Sequence, residues 1–90
     1  MEFEYVDLKV IALDPSAVEK VPEELARQYG VVPLQLTRSE SVPRLKVAVA
    51  TLTHTLLLGL DEIRQISRCH IDIVRGDEEA IQNALNIAYG

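Results

Sequence analysis

The order of elements in this chain predicts an α/β (α+β) domain: a small three-stranded sheet covered by two longer helices and preceded by a short helical pair. Three features carry that expectation. Residues Arg44 to Ala50 alternate in the manner of a strand, apolar residues from Leu56 to Ile66 recur at helical spacing, and Gly76-Asp77 separates a third extended stretch from a second apolar helix.

Tyr5, Val6, Leu8, Val10, Ile11 and Leu13 form an extended or irregular lead-in over residues 1–13. Asp14-Pro15 then opens a helix, because Asp14 can accept from the free amides of the first turn and Pro15 has no amide to leave unpaired. Pro22 would remove a helical hydrogen bond, so the helix should break near Val21 and a second should run from Pro22 to Tyr29. Glu23 and Glu24 suit the positive end of that helix dipole, and Gly30 stops it in a left-handed conformation.

Val31 to Leu36 reads as a strand, but Pro33 has no donor for a ladder, so this strand should lie at an edge or carry a bulge. Thr37 to Pro43 is the turn, and a hairpin with the Arg44 strand is the economical pairing. In that strand Leu45, Val47 and Val49 share one face, while Lys46, Ala48 and Ala50 share the other. Thr51 to Thr55 offers caps for a helix reaching about Arg68, with Leu56, Leu57, Leu60, Ile63 and Ile66 inward and Asp61, Glu62, Arg64, Gln65 and Arg68 opposite. Ile71, Ile73 and Val74 form the third strand, with Asp72 facing out. Asp77 caps the last helix, whose inner stripe is Ala80, Ile81, Ala84, Leu85 and Ala88. The third strand can pair in parallel beside the Arg44 strand or antiparallel beside the Val31 strand.

At 90 residues the whole chain, 1–90, is expected to be a single domain. Its formal charge of -5, with basic residues scattered singly, argues against a nucleic-acid or anionic-membrane surface, which needs clustered Lys and Arg. One cysteine, Cys69, forms no internal disulfide and points to a reducing cytoplasm. The longest uncharged run, Val47 to Leu60, is too short to span a bilayer, and Glu2 and Glu4 are unlike a signal peptide.

Five pieces of the sequence, in order, resemble a known family. They are Val6-Asp7-Leu8; Val21-Pro22-Glu23-Glu24-Leu25-Ala26-Arg27-Gln28-Tyr29 running into Val32-Pro33-Leu34; Leu45-Lys46-Val47-Ala48-Val49-Ala50; Leu60-Asp61-Glu62-Ile63-Arg64; and Glu78-Glu79-Ala80-Ile81-Gln82 before Ala84 and Tyr89. Together they resemble the N-terminal domain of the type II secretion and type IV pilus assembly ATPases. The resemblance implies a cytoplasmic α/β docking domain, peripheral at the inner membrane through its partners. Those partners would be the cytoplasmic part of an inner-membrane assembly protein and a C-terminal ATPase motor in the parent chain. It also implies an alternative, cyclic di-GMP binding, and leaves open fusion of the same domain to an unrelated effector.

Two departures qualify what is carried over. After Val49-Ala50 this chain reads Thr51-Leu52-Thr53-His54 where the family has Met-Ala-Asp-Pro or similar, so the cap of the long helix differs. When the family's nucleotide-binding repeat is laid so that it closes on Gln28, Leu25, Val21 and Val10 fill apolar slots, but Tyr5 and Asp7 stand in place of its Arg and Gly. No GxxxxGK[ST] loop occurs, so ATP hydrolysis is not expected of these residues, nor is any cofactor, metal or catalytic residue.

Sharper readings of single residues give way to plainer ones. His54 and His70 are far apart, and Cys69-His70 on a strand would point to opposite faces, so a buried thiol and a surface imidazole are expected rather than zinc. Asp61-Glu62 and Glu78-Glu79 diverge around their helices as solvated faces. Arg75-Gly76-Asp77, an adhesion tripeptide in spelling, ends a strand and caps a helix. The candidate partner-binding residues are Arg38, Arg44 and Lys46 near the hairpin, with Arg64 and Arg68 on the long helix; they would form a positive patch for an acidic partner, or simply aid solubility.

Overall fold

The structure, a computed structural model, describes residues 4–8, 11–38 and 41–90. Val10 of the lead-in, the N-terminal Met1 and Glu2, and the middle of the 37–43 turn lie outside the described residues. The elements run α1 (Pro15–Lys20), α2 (Glu23–Tyr29), β1 (Val31–Thr37), β2 (Arg44–Val49), α3 (His54–Ser67), β3 (His70–Arg75) and α4 (Glu78–Tyr89).

Local chemistry sets most of these boundaries. The Asp14 carboxylate accepts from the Ser16 amide at 3.0 Å and Pro15 takes the first turn of α1, which ends at an extended Val21 just before Pro22. Gly30, at φ 66°, closes α2 in the left-handed region, as its missing Cβ allows. Thr53 caps α3, its hydroxyl oxygen accepting from the Leu56 amide at 3.1 Å. Arg68 ends α3 at φ 57°, a left-handed position held by a residue with a side chain.

The sheet order is β1-β2-β3. β1 and β2 form the antiparallel hairpin, and β3 lies parallel beside β2, Arg44 opposite His70, which settles the pairing that the sequence leaves open. β1 is both an edge strand and a bulged one. The register slips between Pro33 and Gln35, so Leu34 is the extra residue at the point where proline cannot donate.

Register then sorts the side chains. Val31, Pro33, Leu45, Val47, Val49, Ile71 and Ile73 share the face on which Leu57 and Leu60 of α3 meet Ile71 and Ile73. Val32, Ala48 and Val74 lie on the opposite face, and α1 and α4 pack on the sheet from β1. Nearly all of these are buried, with Leu56, Ile63, Ile81 and Leu85 completing the core.

Three expectations shift in detail. The buried stripe of α3 is Leu56, Gly59, Leu60, Ile63 and Ser67, while Leu57 and Ile66, expected inward, are 53% and 51% exposed. At about 100° per residue both fall on the margins of that stripe. Gly59 belongs to it because a Cβ there would lie 2.5 Å from the Tyr29 ring, so glycine lets α3 and α2 approach. Asp77 stands at the N-cap of α4 but makes no side-chain capping bond; its carboxylate accepts from the Tyr5 hydroxyl. The lead-in is likewise more ordered than its sequence suggests. The Arg75 amide donates to the Glu4 carbonyl at 2.7 Å and the Val6 amide to the Arg75 carbonyl at 2.8 Å, a parallel bridge on the outer side of β3.

Candidate functional site

A concavity of about 340 Å3 opens between the exposed side of α3 and the β3 edge, lined by Arg44, Leu57, Leu60, Asp61, Arg64, His70, Ile71 and Ile73. Its floor is apolar and its rim is charged. The parallel pairing of β2 with β3 brings Arg44 beside His70, and the α3 period places Leu57, Leu60 and Arg64 one turn apart above them.

Only part of the expected basic patch gathers here. Arg44 and Arg64 do, but each already holds a carboxylate: Arg44 donates through Nε and Nη2 to Asp72 at 2.9 and 2.6 Å, and Arg64 pairs with Asp61. The guanidinium bond of Arg44 holds the Asp72 carboxyl below the usual range, and the same bond raises the Arg44 pKa. Lys46 lies elsewhere, in a recess with Glu4, Asp14 and Gln35. Arg38 and Arg68 are exposed and line neither recess.

The exposed apolar residues are what a reading of the charges misses. Leu58 is 61% exposed beside Leu57, and Ile87 on α4 is 79% exposed. A signal for the first was present, since three consecutive leucines, Leu56-Leu57-Leu58, cannot all face one side of a helix. Ile87 borders a second, larger groove of about 580 Å3 between the lead-in, α1 and α4, lined mostly by apolar residues such as Leu8, Leu13, Val18 and Ala84.

The remaining candidates stay apart. Cys69 is buried, its thiol donating to the Ser67 carbonyl at 3.3 Å, while His54 and His70 are exposed. Asp61, Glu62, Glu78 and Glu79 are all exposed. Among the described residues no group of three or more His, Cys, Asp or Glu is placed to hold a metal, and no helix is long and apolar enough to cross a membrane.

This arrangement, among the described residues, of four helices on a β1-β2-β3 sheet has known counterparts, and residues 1–90 match the model of the MshEN domain. The chain belongs to the MshEN domain family. That is the family of the N-terminal domains of type II secretion and type IV pilus ATPases, in agreement with the resemblance of the five sequence pieces. A similar solved structure, described as "Structure of MshE with cdg", superposes with a TM-score of 0.76 at 19% identity, over 97% of this MshEN domain and 59% of that chain. At that identity the likeness speaks for the fold, and the MshEN domain described here spans about three fifths of the solved chain. None of the curated proteins matches.

Proposed function

We propose that this MshEN domain is a non-catalytic docking module of a secretion or pilus-assembly ATPase, holding the motor to the cytoplasmic domain of an inner-membrane platform protein. The observation that carries the reading is the α3–β3 concavity, where half-exposed Leu57 and an apolar floor stand beside Arg44 and Arg64. Apolar contact with a polar, partly charged rim is the composition of a protein–protein contact. Catalysis has no comparable support, since the cysteine is buried and the paired carboxylates face solvent. In this reading ATP hydrolysis resides in the parent chain outside these residues.

Cyclic di-GMP binding is the second reading, favoured by the mention of cdg in the description of the solved relative. The repeat positions weigh against it in this chain. Tyr5, in the place of the repeat's arginine, is committed to Asp77, Val21 is buried in the core and Gln28 is exposed on α2, while Val10 lies outside the described residues.

Two measurements separate the readings. Co-purification with the platform protein's cytoplasmic domain is expected, and its absence with the intact parent chain would remove the docking function. Calorimetric titration with cyclic di-GMP is expected to give no saturable heat; saturation at micromolar ligand would establish the second reading.

A further inference from the structure

Charge is spread unevenly along α4. Glu78 and Glu79 stand in its first turn, and from Ala80 to Gly90 the sequence carries no charged residue, although 26% of the whole chain is charged. That charge-free length is not all core. Asn83 and Ile87 are exposed, and with Ala80 and Ala84 they take the i, i+3, i+4, i+7 spacing of a helix-packing face. α4 therefore has a second such face besides the one that buries Ile81 and Leu85, and it borders the groove of about 580 Å3. Among the described residues that line this groove Glu19 alone is charged, whereas the α3–β3 concavity holds Arg44, Asp61 and Arg64. The Tyr89 hydroxyl, bonded to the Val21 carbonyl, sets the C-terminal half of α4 beside the end of α1. Ile87 lies about 9 Å along the helix from Ile81, which meets Leu8 over Gly76, so it stands at the α1 end of the groove.

We propose that this face pairs with the same face of a second copy of the chain, the two α4 helices antiparallel about a twofold axis and Ile87 of each copy entering the groove of the other. Twofold pairing needs one patch that is both knob and recess. Ile87, 79% exposed, is the knob, and it stands at the border of the recess it would fill in the second copy. Charge favours a second copy over another partner. Two chains of net charge -5 repel wherever their acidic surfaces meet, and a face without charge is where they approach at least cost. A strongly charged partner finds no counter-charge on this face beyond Glu19. Ala80 and Ala84, short beside Ile87, let two helix backbones come close, and depletion of charge is the mark of an interface centre. None of these residues lines the α3–β3 concavity, so pairing leaves the docking surface of each copy free and does not depend on the docking reading.

Sedimentation velocity of the whole chain over about a thousandfold range of concentration, at low and at high salt, tests the pairing. The mass is expected to rise from one chain to two with concentration. It should rise earlier at high salt, because screening removes the repulsion between like-charged copies without weakening a neutral contact. Ile87→Glu sets like charges against each other across the axis and should weaken association at least about tenfold with an unchanged circular dichroism spectrum. Asn83→Lys, on the same face, should do the same, so the result does not hang on one variant. Leu58→Glu, at an exposed apolar position on α3, should leave association as it was. A single-chain mass at every concentration overturns the proposal. So does association that survives both α4 variants, that is lost with Leu58→Glu, or that weakens as salt is raised. Assembly beyond two copies also overturns it, since a twofold contact closes on itself.

Discussion

The carboxylate of Asp14 joins two elements that the sequence separates by the whole of α2: one oxygen accepts from the Ser16 amide at 3.0 Å, the other from the Leu36 amide at 3.1 Å. One side chain therefore caps α1 and closes the outer edge of β1. Asp14→Ala should lose about 1–2 kcal/mol, more than a cap alone, because the Leu36 amide also loses its acceptor. Asp14→Asn retains an acceptor and should lose less. Urea unfolding of the three proteins checks the order.

Gly59 under the Tyr29 ring gives a second expectation. Alanine normally favours a helix over glycine by about 1 kcal/mol, but here its Cβ would sit 2.5 Å from the ring carbon nearest the backbone, which gives way only by a change of the Tyr29 χ1 or a shift of α2. Gly59→Ala should therefore destabilise by about 1–3 kcal/mol, and Tyr29→Leu in the same chain should recover part of that loss. Equal or higher stability of Gly59→Ala alone would show that α2 and α3 yield freely.

The Arg44–Asp72 pair predicts an acid-side effect. Arginine depresses the folded-state pKa of Asp72, so the pair's contribution is present above the unfolded carboxyl value of about 3.9 and fades as pH falls through the folded value. Both side chains are well exposed, so solvent keeps the effect small. Urea midpoints from pH 6 down to about 2.5 should fall less steeply for Asp72→Asn than for the unmodified chain.

Tyr89 predicts the opposite limb. Its hydroxyl donates to the Val21 carbonyl at 3.0 Å, tying the end of α4 to the α1–α2 junction, and burial pushes its pKa up to about 12. A raised folded-state value means that the contribution is whole below the ordinary tyrosine value of 10.0 and is lost as pH rises through about 12. Tyr89→Phe should remove the latest component of the phenolate absorbance titration and lower stability at neutral pH by about 1 kcal/mol.

Much of this fold was legible because its signals are local. Asp14-Pro15, Pro22, Gly30 and Thr53 each fix a helix end through a bond or a missing bond within a few residues, and the period of Leu56, Leu60 and Ile63 needs only one helix to be read. The candidate site was less legible because it depends on distance in the chain. Arg44 and Asp72 are brought together by the parallel register of β2 and β3, which converts an expected free cation into a bidentate pair. Lys46, two residues further along β2, lines a different recess, with Glu4, Asp14 and Gln35. Asp77 illustrates the limit of local rules: its place before α4 was readable, but its partner, Tyr5, is 72 residues away.

The bridge between Glu4–Val6 and Arg75 also decides how the domain bears load. A pull applied ahead of Glu4 along the strand axis acts on the 2.7 and 2.8 Å bonds and the Tyr5–Asp77 contact together, in shear, and so passes into β3 instead of peeling α1 away. The leading segment is thereby an anchor point, built from the backbone of a single arginine.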